Sequence, residues 1–176
     1  QKLILRRKII DRKKVELVPF GIDTNRFTPA TTNQKLAARR KLKLPPNDLI
    51  VTIVGRLDPI KDHLTFLEAA NIVNRQLPSV KFLIVGSTLG DFSGRKNDYW
   101  AQIKNYLGAS HSLAKNVAFS GFIEAMAPVY QASDILVSTS HSESFGLSIA
   151  EAAACQIPVI ATTKDKKHPL AKNHKT

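Results

Sequence analysis

Two short segments concentrate the side chains that could hold a phosphorylated ligand. In Gly55–Lys61 (GRLDPIK) the Arg56 guanidinium and the Lys61 ammonium lie five residues apart in one loop. A planar fork and a point charge can converge on a compact anion such as a diphosphate. As an isolated pair they read equally well as two solvated surface cations. Gly55 tips the balance, because glycine lets a ligand approach the backbone closely. In HSESFGLSIAE, Glu143 and Glu151 flank Gly146. A helix opening at Gly146 leaves the amides near Gly146, Leu147 and Ser148 without intrahelical acceptors. Such an end attracts phosphate, and the helix dipole adds to the attraction. A carboxylate can accept from two adjacent hydroxyls, as on a sugar or a ribose. Carboxylates on both sides of a phosphate site would therefore grip both ends of a nucleotide sugar. Without that context, Glu143 is a charge at a helix start and Glu151 a solvated helical residue.

Other chemistries find no support. The five histidines are scattered without metal-ligand spacing. His141 reads as a solvent-exposed loop residue. Ser144 has no matched His–Asp pair. No GxGxxG and no Walker loop is present. The single cysteine, Cys155, allows neither an internal disulfide nor a cysteine metal site. It reads as a small buried residue in an alanine-rich helix, compatible with a reducing compartment.

The elements that would carry these residues alternate. Strands are expected at 48–54, 80–85, 116–120, 134–138 and 158–161. Their apolar, β-branched runs show little period-two alternation. Helices are expected at 62–77, 96–108, 124–132 and 146–155, with Pro78 and Gly108 as stops. Val15–Val18 reads as one more strand, and residues 34–44 as a short basic helix. Alternating strands and helices imply an α/β, Rossmann-like parallel sheet with helices on both faces. Ligands bind such sheets beyond the carboxyl ends of the strands. Gly55, Arg56 and Lys61, then Gly86, then Gly121, then Ser138 to Gly146 all follow strands, so they share one predicted edge.

The chain of 176 residues suits one such domain. Its formal charge of +12 could suggest nucleic acid. Residues 1–14, however, hold seven Lys or Arg against one Asp, and residues 164–176 hold five Lys against one Asp. The body between them is nearly neutral. The organisation expected is a basic segment at 1–14, the α/β domain at 15–163, and a basic, disordered tail at 164–176. The basic ends could touch an anionic membrane surface by Coulomb attraction. No aromatic–basic interleaving argues for a specific nucleic-acid partner. No run approaches a membrane span, and the apolar stretch at the start is too short for a signal peptide. The expected location is cytoplasmic, with peripheral membrane contact through the ends.

The two glutamates, separated by seven residues around Phe145–Leu147, resemble the Glu-x7-Glu motif of GT-B glycosyltransferases, especially the retaining family 4. VPFGIDTNRFTP, VGRLDPIKD and CQIPVIAT resemble three further segments of that family, in order and spacing. The resemblance covers about Val15 to Thr162. It implies the C-terminal half of a GT-B fold and a role as the donor-binding part of a glycosyltransferase. It implies a nucleotide-diphosphate sugar as partner, with Arg56, Lys61 and Glu143 as catalytic residues. Arg56 and Lys61 would hold the diphosphate, Glu143 the donor sugar and Glu151 the ribose. Amides of Phe145, Gly146, Leu147 and Ser148 would touch phosphates or sugar. Gly121 and Phe122 would border the base, Gly21 the interdomain cleft, and Gly55 and Gly86 the donor. No cofactor and no obligatory metal are expected. An acceptor sugar, lipid or other hydroxyl compound would be held by an amino-terminal domain that this truncated chain lacks, so the isolated chain should not transfer sugar. The rival readings are a non-catalytic nucleotide-sugar module, an inactive fragment, and a GT-B epimerase or phosphorylase. Three departures from the family stand out: Phe20 replaces an Asn, Gln156 replaces a helix-ending Gly, and STLGD follows Gly86 in place of Asp-Gly-Pro.

Overall fold

The computed structural model describes Glu16, Val18, residues 20–88 and residues 98–162. Five parallel strands form one sheet: β1 (Ile50–Val54), β2 (Lys81–Val85), β3 (Val117–Gly121), β4 (Ile135–Ser138) and β5 (Val159–Ala161). Their spatial order is β3-β2-β1-β4-β5. The order reverses between β1 and β4, which opens a crevice at the carboxyl ends of these two strands. The helices are α1 (Thr32–Lys41), α2 (His63–Gln76), α3 (Asp98–Ala109), α4 (His111–Ala114), α5 (Ala127–Ala132) and α6 (Leu147–Ala154).

The strands are apolar on both faces because helices cover both. In β2, Phe82 and Ile84 join Phe66, Leu67, Ala70, Tyr99, Ile103 and Leu113 in one layer. The alternate residues, Leu83 and Val85, pack with Ala38, Leu44, Val129 and Ala132 in the other. Burying a side chain of this size fully contributes about 1.5–3 kcal/mol, so the central strands anchor the edge where the loops emerge. A third cluster joins Phe27, Tyr130, Leu136, Ala152 and Cys155 and fixes α6 against α5 and β4.

The five strands expected from residue 48 onward and the expected helices appear within three residues of the predicted bounds. Pro128 lies in the first turn of α5, where its missing N–H costs nothing. Gly108 does not stop α3. It lies inside the helix, outside the left-handed region, and the chain turns after Ala109 into the unforeseen short α4. The proposed strand at Val15–Val18 lies partly outside the described residues, and Glu16 and Val18 are exposed and in no strand. The segments 1–14 and 164–176 lie outside the described residues.

At the amino ends of the strands, α1 does more than carry solvated charge. Thr31 and Gln34 form a reciprocal capping box. Arg39, only 3% exposed, then reaches under the sheet. Its Nε donates to Ala132 O (3.0 Å), and one terminal nitrogen donates to Pro46 O (2.6 Å) and Asp48 O (2.9 Å). The other pairs with Asp134 Oδ2 at 2.7 Å. Asp134 also accepts from the Ile50 amide and pairs with Lys35. This network ties α1 to the starts of β1 and β4.

Candidate functional site

Beyond the carboxyl ends of β1 and β4 lies a cleft of about 370 Å³, lined by Phe20, Val54, Gly55, Arg56, Lys61, Met126, Tyr130, residues 143–148 and Glu151. Its volume falls in the range of small-molecule sites. Three elements build it: the β1–α2 loop, the β4–α6 loop with the start of α6, and α5.

The β1–α2 loop contains a 3-10 turn, Pro59–Lys61, capped by the Asp58 side chain accepting from the Ile60 amide. Arg56 projects outward with its side chain 56% exposed, and one terminal nitrogen lies 3.2 Å from Asp58 Oδ2. Lys61 turns inward, at 20% exposure, with Nζ 2.5 Å from Glu143 Oε1. The same carboxylate oxygen accepts from Ser140 Oγ at 2.7 Å. Asp62, in the left-handed region at φ 51°, caps α2 by accepting from the amide and hydroxyl of Thr65. Asp tolerates that conformation better than most residues.

The β4–α6 loop is fastened to this turn. Thr139 Oγ1 lies 3.0 Å from Lys61 O and 2.8 Å from Asp62 O, and its proton serves that carbonyl pair. The His141 amide donates to Ile60 O at 2.8 Å. His141 Nε2 lies 3.2 Å from Asp62 Oδ2, so this loop histidine is tethered although its side chain is 42% exposed. The two loops are therefore tied to each other.

Gly146 enters α6 at φ +78°, a conformation that favours glycine, and supplies no side-chain cap. Its carbonyl accepts from the amides of Ile149 and Ala150. The Leu147 and Ser148 amides, at the first two positions of the helix, make no hydrogen bond to a described residue. Both residues line the cleft, and an open helix start of this kind attracts anions. Glu151, one turn into α6, meets the cleft from the side. Its Oε2 accepts from the Tyr130 hydroxyl at 2.6 Å.

The cleft thus brings together Gly55, Arg56, Lys61, Glu143, Phe145, Gly146, Leu147, Ser148 and Glu151. It does not include Gly21, Gly86, Gly121 or Phe122. Gly21 is exposed, with no neighbour that an added Cβ would meet. Phe122 is 75% exposed beyond the end of β3. Gly86 serves the loop from behind: a Cβ there would fall 1.9 Å from Gly55 O, and its amide donates to Gly121 O. Gly55, which lines the cleft, has a second packing role. An added Cβ would sit 3.0 Å from Lys61 Cγ, so the glycine makes room for the lysine stem.

Sequence reasoning missed Tyr130, Met126 and the ring of Phe20 as cleft residues. Phe20, noted only as a departure, packs its ring 5.2 Å from that of Phe145. Tyr130 sits in an ordinary apolar helix pattern. A tyrosine near a short helix's end gives no signal of where its hydroxyl points. Also missed was His63, fully buried behind the Gly55–Lys61 loop, where neither ring nitrogen reaches a described residue in full hydrogen-bond geometry and the Gly55 backbone is only a loose neighbour. Burial drives its pKa down to about 4, against the pull of Asp58, the Gly55 backbone and Asp62, so the ring is neutral near pH 7. Burial also raises the Cys155 thiol pKa, which fits an inert packing role. Among the described residues, no three His, Cys, Asp or Glu side chains converge as metal ligands. No helix among them is long and apolar enough to cross a membrane.

Comparison with known proteins gives this geometry a family. Residues 34–176 match the family model of glycosyl transferases group 1. The D-inositol 3-phosphate glycosyltransferase of Segniliparus rotundus is 37% identical over 151 residues, covering 86% of this chain and 32% of the relative. The same enzyme of Rhodococcus jostii is 37% identical over 158 residues, with the same coverage of both chains. The chain spans about a third of the length of these curated relatives. Among solved structures, HepE of Anabaena in complex with UDP and glucose superposes with a TM-score of 0.68. It is 28% identical, over 80% of this chain and 36% of that one. The C-terminal domain of a glycosyl transferase group 1 family protein from Francisella tularensis superposes equally well, at 0.68 and 30% identity, over 80% of this chain and 70% of that one. The chain belongs to the glycosyl transferases group 1 family, and its fold is that of the Rossmann-like half of a GT-B glycosyltransferase.

Proposed function

We propose that this domain binds a uridine-diphosphate sugar and presents it for glycosyl transfer with retention of configuration. The observation that carries the reading is the convergence of Arg56, Lys61, Glu143, Glu151 and the helix start at Leu147 and Ser148, whose amides are unpaired among the described residues, on one cleft. The binding of UDP by HepE, a structural relative, supports uridine as the base. In this reading the diphosphate lies between Arg56, Lys61 and the start of α6, Glu143 takes donor-sugar hydroxyls, and Glu151 takes the ribose. The Lys61 ammonium has three protons, so it can keep Glu143 and still donate to a phosphate. That arrangement holds Glu143 beside the sugar while the lysine faces the leaving group.

During transfer the acceptor hydroxyl oxygen bonds to the anomeric carbon while the bond from that carbon to the diphosphate breaks; the diphosphate keeps the electron pair and takes up the acceptor's proton. Arg56 and Lys61 offset the charge that develops, with no obligatory metal. Acceptor binding belongs to the portion of the relatives that this chain does not match. The domain alone therefore binds donor without transferring it, because positioning of both reactants supplies much of the rate.

The test is a calorimetric titration with UDP and with uridine. Arg56→Ala and Lys61→Ala should each weaken UDP binding by about 1.5–3 kcal/mol, the value of a charge-assisted contact, and leave uridine nearly unchanged. Equal losses for both ligands would remove the diphosphate assignment and leave only a non-catalytic or inactive domain.

A further inference from the structure

We propose that Tyr130 is the positioning residue for Glu151: its buried hydroxyl holds one carboxylate oxygen so that the other faces the ribose hydroxyls. This rests on the donor-site reading above and adds a residue to it.

The geometry carries the inference. Tyr130 is fully buried, and its ring is locked on the far side by an edge contact to Phe27, 5.9 Å between centroids. Leu136, Ala152 and Cys155 complete that packing. A phenol has few rotatable bonds, so a locked ring means a locked hydroxyl. The hydroxyl donates to Glu151 Oε2 at 2.6 Å, within the range of a bond to an ionised acceptor. Glu151 Oε1 makes no hydrogen bond to a described residue, and the side chain borders the cleft. One oxygen is thus spent on orientation and the other is left for a ligand.

The donor's chemistry also matters. Lysine or arginine at this place would orient the carboxylate but cancel its charge. A neutral phenol orients it and leaves it anionic, the stronger acceptor for sugar hydroxyls. Burial and the neighbouring carboxylate both raise the Tyr130 pKa, so the phenol remains a donor across the physiological range. An untethered glutamate on α6 would have to freeze its rotamers on binding. Tyr130 removes that cost in advance.

The experiment is a calorimetric titration of the whole chain with UDP, 2′,3′-dideoxy-UDP and inorganic pyrophosphate. The wild-type chain should favour UDP over the dideoxy analogue by roughly tenfold, as expected for one charge-assisted contact. Tyr130→Phe should reduce that preference to about twofold or threefold and leave pyrophosphate affinity unchanged. On a Glu151→Ala background the same change should have no further effect on the preference. A Tyr130→Phe variant that keeps the full preference overturns the proposal. So does one that loses affinity equally for all three ligands, which is what a merely structural role would give. A wild-type chain that binds UDP and pyrophosphate without ribose preference overturns the Tyr130–Glu151 assignment and leaves the diphosphate site standing. A wild-type chain that binds neither removes both. A readout independent of the variant's folding is the Cζ resonance of Tyr130 in the 13C-tyrosine-labelled wild-type chain. It should shift with UDP and not with pyrophosphate, with Tyr99 and Tyr106 as internal references. No shift with UDP would overturn the proposal.

Discussion

Two clusters of cations sit at opposite ends of β1, and they differ in what their donors do. At the amino end, Arg39 directs four of its five N–H donors to three backbone carbonyls and Asp134. It is sealed beneath the sheet, buried away from any ligand. At the carboxyl end, Arg56 pairs with Asp58 and stands more than half exposed. Lys61 touches Glu143 and still borders the cleft. The same residue types thus serve stability at one end and keep binding capacity at the other. The difference lies in the carbonyls around them. Arg39 meets backbone acceptors with no partner of their own, whereas the carboxyl-end loops close on each other through Thr139 and His141. That leaves the cations free of backbone demand.

The contrast predicts opposite behaviour on truncation. Arg39→Ala should destabilise the fold by about 3–5 kcal/mol, because it strands Asp134 and several carbonyls in a water-poor site. Arg56→Ala should move the midpoint of urea unfolding little, because an exposed pair contributes at most about 1 kcal/mol. Equal losses of stability would erase the distinction between the two ends.

A smaller effect comes from His63. Among the described residues, its two nitrogens are the buried side-chain polar atoms left without a partner in full hydrogen-bond geometry, and they lie behind the open end. Its folded pKa of about 4 lies below the unfolded value of 6.5. The unfolded chain therefore takes up the proton first. Stability from the neutral ring is fully present above pH 6.5 and is lost as pH falls toward 4, a change of about 3 kcal/mol across that window. His63→Leu should flatten the acid limb of the stability–pH curve. An unchanged limb in that variant would assign the acid sensitivity elsewhere.

Much of this arrangement was legible in the sequence. Buried parallel strands announce themselves as apolar runs, and the rule that ligands collect beyond their carboxyl ends gathers Arg56, Lys61 and Glu143, with Glu151 added by its spacing from Glu143 across Gly146. The Gln156 departure was legible too. Gln156 takes φ +58°, its amide donates to Ala153 O, and the Ile157 amide donates to Ala152 O. This is the helix-ending motif that usually carries glycine, here with a side chain in a strained region. What could not be read was direction. The basic pattern of residues 34–44 does not say that Arg39 alone points under the sheet. Gly86 and Gly121 sit on the right edge, yet Gly86 is spent on close packing against Gly55. Tyr130 and His63 lie in helices whose sequence pattern does not give their direction, and only packing decides that one hydroxyl meets Glu151 and one imidazole is buried behind the Gly55–Lys61 loop.

If the open end of β1 binds a diphosphate and the closed end does not, amide chemical-shift mapping of the 15N-labelled chain during titration with UDP will separate the two. Saturable shifts are expected at Gly55–Lys61 and at Phe145–Ser148, with Arg39, Ile50 and Asp134 unmoved. Shifts confined to the Arg39–Asp134 end, or spread evenly over exposed basic residues and abolished by modest salt, would contradict that assignment.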